Sequence, residues 1–437
     1  MRKLFTMALA TTVLAATAAT NPFFEYKNWK TPHGTYPFNE IHAEHYMPAF
    51  EKAMQDGLKE IDEIANNPAA PTFANTIEAY EASGELLSVV AGCFYNLSHS
   101  ETNDSIQQIE LELSPKMSEY SSTIRLNEKL FQRIKAVYDQ RDKLKLNKAQ
   151  YKLLEDIYES FANNGANLSP EDKETYRQLT AKLSKLTLQY GQNVLKATNA
   201  WTMLITDEAL LAGLNEDTKA MLKANAEKKG LEGWLLNLKP TTTIPVMQDL
   251  DNRDIRRELY MANASKCVGG EFDNTGNIVE IVNTRLALAQ LFGKKTYAEK
   301  SLYKTMAETP ENVYKLLDQL RDAYMPAALE EVKELEEYAH ANGFYAAHLQ
   351  PWDWSYYSKK LKQEKYAISD DDLRPYFELE NVKQGVFGLA KRLYGITFKE
   401  NKKIQVYNPE VTAYEVFDEK GKFLAVYYAD FHPRDGK

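Results

Sequence analysis

Residues 169–194 read SPEDKETYRQLTAKLSKLTLQYGQNV, and this stretch indicates the fold class of the chain. Ser169 is a residue type that caps helices, and Pro170 suits the first helical position. Two acidic residues follow, where the helix dipole favours negative charge. Apolar side chains then recur every three or four residues, at Tyr176, Leu179, Leu183, Leu186, Tyr190 and Val194. This spacing predicts one long amphipathic helix with a single apolar face.

Other segments show the same helix signals. Thr309 and Pro310 begin a predicted helix that is expected to kink at Pro326 and to end before Gly343. Its expected buried face is Val313, Leu316, Leu317, Leu320 and Tyr324. Residues 381–394 form a further predicted helix that ends at Gly395. The chain is therefore predicted to be mainly α-helical.

Strand signals are confined mainly to the C-terminal end. Residues 411–418 and 423–431 are two alternating runs, and the intervening residues 419–422 (EKGK) predict a hairpin. Residues 240–245 contain three consecutive threonines between prolines, which indicates an extended linker. A domain boundary is expected near this linker.

The charge balance limits the classes of partner. The chain has 62 acidic and 53 basic residues in 437, a formal net charge of −9. Binding to nucleic acid or to an anionic membrane requires a basic face, so neither is expected as a partner. After residue 20, no stretch approaches the ~20 apolar residues that a membrane-spanning helix needs.

The N-terminus resembles a secretory leader. Arg2 and Lys3 form a basic start, residues 4–19 are apolar or small, and Ala-Thr-Ala and Thr-Ala-Ala triplets offer cleavage sites near residue 20. Residues 1–20 are therefore a predicted signal peptide. The protein is expected to be exported, and periplasmic if its source is Gram-negative.

No complete catalytic motif can be recognised in the chain. A zinc-protease helix needs His-Glu-x-x-His, and that string does not occur among the 437 residues. The histidine pair His42 and His45 has a spacing of three, but two surface histidines at a helix start are the favoured interpretation. Cys93 and Cys267 are favoured as free thiols, although export leaves a disulfide open. The aromatic stretch at 350–361 (QPWDWSYYSKKL) is favoured as a corner of the core.

Several motifs, in the same order, resemble the thimet oligopeptidase and peptidyl-dipeptidase family of zinc metallopeptidases, with the bacterial peptidyl-dipeptidases most similar. They are 32–38 (PHGTYPF), 73–78 (FANTIE), 103–104 (ND), 130–134 (LFQRI), 351–357 (PWDWSYY), 376–382 (YFELENV), 385–387 (GVF), 392–398 (RLYGITF) and 429–437 (ADFHPRDGK). The resemblance covers nearly the whole chain after the leader and corresponds to about the first two thirds of a family member.

The resemblance implies an elongated, mainly α, two-lobed channel fold with a small late hairpin. In the family, the zinc helix with His-Glu-x-x-His follows the segment that resembles 429–437, so the chain is expected to stop before it. No catalytic or metal-binding residue can therefore be assigned, and the substrate-binding residues are unknown. Zinc is the cofactor of the full-length family, and none is expected at a catalytic site in this chain. His432 is interpreted as a turn residue.

The expected organisation is a signal peptide at 1–20, an N-terminal helical domain at 21–240 and an incomplete catalytic domain at 241–437. The expected function is that of an N-terminal portion of a zinc peptidyl-dipeptidase, which releases C-terminal dipeptides from short unstructured peptides and is inactive as this chain. Internal cleavage of short peptides and a non-catalytic peptide-binding or scaffolding role are the alternatives. The chain is expected to be a monomer.

Overall fold

The computed structural model describes residues 21–437, without the side chains of residues 370 and 371. The predicted signal peptide at 1–20 lies outside the described residues. Helices make up most of the described chain, and the strands form two small antiparallel sheets. The predicted mainly α fold class is confirmed. Among the described helices, none is both long and apolar enough to cross a bilayer.

The helices and strands follow one another in the order given by their bounds. The helices are α1 (Ala43–Ala65), α2 (Ala79–Glu81), α3 (Glu85–Ser100), α4 (Asp104–Arg125), α5 (Glu128–Tyr138), α6 (Lys148–Asn163), α7 (Pro170–Ala200), α8 (Glu216–Glu227), α9 (Pro240–Asp249), α10 (Arg253–Ala264), α11 (Thr275–Leu291), α12 (Tyr297–Ser301), α13 (Pro310–Ala341), α14 (Pro351–Tyr366), α15 (Asp370–Leu373) and α16 (Leu379–Tyr394). The strands are β1 (Thr202–Ile205), β2 (Trp234–Asn237), β3 (Thr397–Glu400), β4 (Thr412–Phe417) and β5 (Phe423–Ala429).

The described chain divides into two compact units. The first comprises the residues up to Lys185 together with Leu291–Gly293 and Lys383–Lys437, and the second comprises Leu186–Gln290 and Lys294–Val382. These units are groupings by spatial contact. The expected domains at 21–240 and 241–437, of which the second is assigned a catalytic role, stay a prediction.

In the first unit, α1 is the central helix and packs against α3, α4 and α5. Its apolar face includes Phe50 and Ile61, which are 0% and 3% exposed. Further along the same unit, β3, β4 and β5 form an antiparallel sheet in that order. The predicted hairpin at 411–431 is thus confirmed, and β3 is an additional strand that was not predicted.

In the second unit, β1 and β2 form an antiparallel pair, and α8 packs against β2. The core around them includes Leu211, Leu222 and Leu236, each with no exposed surface. This strand pair was not predicted, because each strand has only four residues and a helix separates the two in the sequence. Short strands of this kind give little periodic signal.

The expected extended linker at 240–245 is wrong, since these residues begin helix α9. Pro240 occupies the first helical turn, where its missing N–H removes no helical hydrogen bond. Thr242 and Val246 are completely buried, and α9 packs against α14 and β2. Burial of this face overrides the low helix propensity of threonine.

The expected burial of the first part of α13 is also wrong. Its apolar face includes Leu316, Leu317, Leu320 and Tyr324, whose side chains are 42–68% exposed. Burial begins only at Leu335, where the helix meets α14. The helix starts at Pro310 after the Thr309 cap, as predicted, and it continues without interruption past Pro326.

The helix start at Ser169 and the helix stop at Gly395 are confirmed. Ser169 Oγ accepts a hydrogen bond from the backbone N–H of Asp172 (3.1 Å) at the start of α7. Tyr176 is buried, and the rest of the predicted apolar face is half-buried except for exposed Tyr190. Gly395 adopts a φ of +72° directly after α16, a conformation that glycine reaches without steric cost.

Candidate functional site

The open edge of strand β5 in the C-terminal sheet is the candidate functional site. Strand β4 lies between β3 and β5, so one side of β5 (Phe423–Ala429) faces away from the sheet. Within residues 21–437, no strand pairs with this outer side. An unpaired strand edge presents backbone N–H and C=O groups that an extended peptide can bind.

The local sequence produces this edge strand. The chain reverses at Gly421, which has a φ of +78°. The carboxylate of Asp418 accepts hydrogen bonds from the backbone N–H groups of Lys420 (2.9 Å) and Lys422 (2.8 Å). These bonds hold the turn, so the strand that follows must fold back along β4.

Aromatic side chains support β5 from both faces of the sheet. On one face, Phe387 of α16 stacks on Phe398 of β3 with 4.1 Å between ring centroids, and it contacts Tyr427 of β5 at 6.4 Å. On the other face, Phe38 packs edge-to-face against Tyr428 of β5 at 6.0 Å. The open edge therefore belongs to a strand that is held on both faces.

An ion-pair cluster anchors the residues that follow β5. Arg434 donates two hydrogen bonds to the carboxylate of Asp430 (2.9 and 2.7 Å) and a third to the carbonyl of Ser100 (2.7 Å). Its Nε also lies 2.7 Å from a carboxylate oxygen of Glu101. The hydrogen bonds from Arg434 hold the pKa of Asp430 well below its usual range. This cluster ties residues 430–437 to the end of α3.

The chain end also contacts the segment between α3 and α4. Thr102 donates its backbone N–H to the carbonyl of Gly436 (2.8 Å). A Cβ atom at Gly436 would lie 2.3 Å from the carbonyl oxygen of Thr102, so only glycine fits there without a shift. His432 is exposed, and its carbonyl accepts a hydrogen bond from Lys437 Nζ (3.2 Å), in agreement with its interpretation as a turn residue.

The histidine pair His42 and His45 caps a helix. His42 directly precedes α1, and its backbone N–H donates to Nδ1 of His45 (3.0 Å) in a capping box. Burial lowers the pKa of His45, which favours the neutral ring that accepts this bond. Within the described residues, no group of three or more His, Cys, Asp or Glu side chains could hold a metal ion. These residues therefore hold no ligand set that fits the zinc ion implied by the resemblance.

Both cysteines are free thiols. Cys93 is buried, and its Sγ lies 3.4 Å from the hydroxyl of Tyr46. Burial raises the pKa of Cys93 to about 11, so the thiol stays protonated and unreactive at neutral pH. Cys267 has a positive φ of 61° in the turn after α10 and is partly exposed.

The aromatic stretch at 350–361 forms part of the core, as predicted. Asp353, in the first turn of α14, is completely buried and accepts hydrogen bonds from Arg253 (2.9 and 2.8 Å) and from Arg256 (3.2 Å). The two arginines were not singled out in the sequence. They lie about a hundred positions from Asp353, so no local pattern in the sequence connects them with it.

Comparison with known proteins gives a family and several relatives. Residues 246–437 match the model of peptidase family M3. The chain is 35% identical to the dipeptidyl carboxypeptidase of Escherichia coli over 424 residues, which is 95% of this chain and 61% of that protein. It is 36% identical to E. coli oligopeptidase A over 412 residues (93% and 60%) and 26% identical to a thimet-like oligopeptidase of Dictyostelium discoideum over 408 residues (90% and 58%). The chain thus spans about three fifths of the length of these curated relatives.

Proposed function

The chain belongs to peptidase family M3, and we propose that it binds short extended peptides as part of a zinc metallopeptidase. The open edge of β5 is the observation that supports this proposal. Backbone pairing along a strand holds peptides of any sequence, because every residue offers the same N–H and C=O groups. A binding mode of this kind suits a protein that accepts short peptides of different sequences.

Release of C-terminal dipeptides is the proposed reaction of the complete enzyme. The likeness to E. coli dipeptidyl carboxypeptidase supports it. Internal cleavage of short peptides is the second candidate, because the likeness to oligopeptidase A is equally strong. The two reactions differ in their need for a free peptide C-terminus. A complete enzyme that cleaves C-terminally amidated peptides as fast as free ones would contradict dipeptide release.

We also propose that the 437-residue chain by itself neither binds catalytic zinc nor cleaves peptides. The absence of a fitting ligand set among residues 21–437 supports this proposal. The test is metal analysis of the purified chain together with its turnover of a peptide that is blocked at its N-terminus. Zinc-dependent release of dipeptide by the chain would contradict the proposal.

A non-catalytic binding role gains support if the chain binds peptides and the gene ends at Lys437.

Peptide binding by the chain can be tested without changing the protein. A short blocked peptide should bind measurably by fluorescence anisotropy, and its alternately N-methylated counterpart should bind at least about tenfold more weakly, since methylation removes backbone donors. A peptide of scrambled sequence is the matched control and should bind as well as the original. Equal binding of the methylated peptide would contradict the strand-pairing mode.

Export and a monomeric state also stay proposals. The leader at 1–20 supports export, and the test is cell fractionation with N-terminal sequencing of the mature protein. Sedimentation of the purified chain at low concentration tests the monomeric state.

A further inference from the structure

His33 lies in a tight turn before α1, in a conformation that a residue with a side chain seldom adopts. Its φ is 59° and its ψ is 17°, in the left-handed region. The turn is closed by backbone hydrogen bonds from Gly34 to Thr31 (3.1 Å) and from Thr35 to Pro32 (3.2 Å). This conformation is unfavourable for a non-glycine residue, so the surrounding contacts of His33 must compensate for it.

The imidazole of His33 contacts both strands of the β4–β5 hairpin. Its Nε2 lies 2.6 Å from a carboxylate oxygen of Glu415 on β4. Its ring stacks on Phe423, the first residue of β5, with 3.7 Å between centroids and 4° between planes. One side chain thus joins the N-terminal segment to both strands at the turn end of the hairpin.

The pairing of the hairpin strands is irregular close to the residues that His33 contacts. The pairing of β4 with β5 is regular from Thr412 to Val416, and its register shifts between Val416 and Phe417. Such an irregularity interrupts the ladder of backbone hydrogen bonds. The contact of His33 with Phe423 therefore restricts a part of β5 that the backbone hydrogen bonds with β4 hold less firmly.

The rest of the N-terminal segment is held independently of His33. The Tyr36 hydroxyl donates to the carbonyl of Val89 (3.0 Å), and Phe38 packs against Tyr407 and Tyr428. The segment would therefore remain on the sheet if the imidazole were removed. A substitution of His33 is therefore expected to change the hairpin without unfolding the first unit.

We propose that His33 is a positioning residue that holds the turn end of edge strand β5 in place for pairing with a peptide. The proposal rests on the proposed peptide-binding role of β5. The imidazole does this through its hydrogen bond with Glu415 and its stacked contact with Phe423. Lys399, the neighbour of Glu415 on β3, and Asn401 also act on this carboxylate.

The test is hydrogen exchange of the backbone amides in 417–426, measured by mass spectrometry at neutral pH. The variant is His33→Asn, because asparagine tolerates the left-handed conformation and keeps the turn. In H33N, exchange of these amides should be about tenfold faster than in the wild type.

Two further variants complete the test. Glu415→Gln keeps a hydrogen-bond acceptor for His33 and removes the charge, so it should retain more protection than H33N. His432→Asn changes a histidine just beyond β5 and should behave like the wild type. Exchange in H33N that matches the wild type would overturn the proposal.

Peptide affinity is the second readout. H33N should bind the blocked peptide more weakly than the wild type. Faster exchange with unchanged peptide affinity would overturn the positioning role. If the wild type binds no peptide, the proposed peptide role of β5 fails and the positioning role with it, while exchange still shows whether His33 braces the hairpin.

Discussion

At the scale of single residues, buried charge has the largest consequences for stability. The Asp353 carboxylate has no exposed surface, and Arg256 beside it is 1% exposed. Two opposite charges in such a place are tolerated because each satisfies the hydrogen-bonding groups of the other. Removal of one partner leaves the other without compensation in a region that water does not reach.

We predict that Asp353→Asn lowers the free energy of unfolding by about 3–5 kcal/mol, the range for breaking a buried ion pair. Urea denaturation of both proteins measures this change. The matched control is Asp217→Asn, since Asp217 pairs with Arg374 while its side chain is 80% exposed. That control should lose less than about 0.5 kcal/mol. Equal losses in both variants would show that the buried cluster has no special role.

The Asp430–Arg434 pair predicts how stability depends on pH. The pKa of Asp430 is lowered in the folded state, chiefly by its hydrogen bonds with Arg434, so the pair stabilises the fold above the usual aspartate pKa of about 3.9. This contribution is lost as the pH falls through the lowered pKa. The stability difference between the wild type and Asp430→Asn should therefore be largest above about pH 4 and should shrink in stronger acid. A difference that stays constant down to about pH 2 would contradict the assigned cause.

At the scale of elements, helix α13 has two different halves. Its C-terminal part packs on α14 through Leu335 and Ala339, which are 4% and 0% exposed. Its first part, from Pro310 to about residue 330, is exposed along most of its length. An unsupported helix of this length is only marginally stable in water, because most helical stability in proteins comes from packing.

We therefore predict that amides in residues 314–328 exchange with solvent at least about a hundredfold faster than those in 333–341. Hydrogen exchange with mass spectrometry on the intact chain resolves the two halves. Helix α1, whose apolar face is buried along its length, is the internal reference for slow exchange. Uniform protection along α13 would show that the first half is stabilised by contacts that the structure does not contain.

At the scale of the whole molecule, the notable feature is the amount of exposed apolar side-chain surface. Besides the first part of α13, Val386, Leu389 and Leu393 of α16 are 56%, 46% and 63% exposed. These residues recur at helical spacing, so each set forms a continuous stripe. Stripes of this kind on a water-soluble protein mark surfaces that bind another apolar surface or promote aggregation.

We predict that the purified chain binds a hydrophobic fluorescent dye and self-associates as its concentration rises. Leu317→Glu combined with Leu320→Glu should reduce both effects without lowering stability, because neither side chain is buried. The control is Lys315→Glu on the same helix, which removes no apolar surface. Dye fluorescence and sedimentation measure the two effects. Dye binding that is unchanged in the double variant would place the apolar surface elsewhere.

Local chemistry was sufficient to predict the elements that carry strong signals. The cap and proline at the starts of α7 and α13, the glycine after α16 and the alternation of β4 and β5 all act within a few residues along the chain. The family resemblance likewise depends on short motifs and could be recognised from the sequence. The mainly α fold class followed from these features.

Burial depends on what lies opposite a side chain, and the sequence of a single element does not contain that information. The threonines at 241–243 are helical because α9 is covered by α14 and β2, whereas the leucines early in α13 are exposed because nothing in the described chain covers them. The partners of Asp353 and the two-sided contact of His33 join residues that are far apart in sequence. The sequence alone was therefore sufficient for the helices with strong start and stop signals, for the late hairpin and for the family resemblance. Which faces are buried and which strand edges remain open depends on contacts between distant segments, and those contacts appear only in the folded structure.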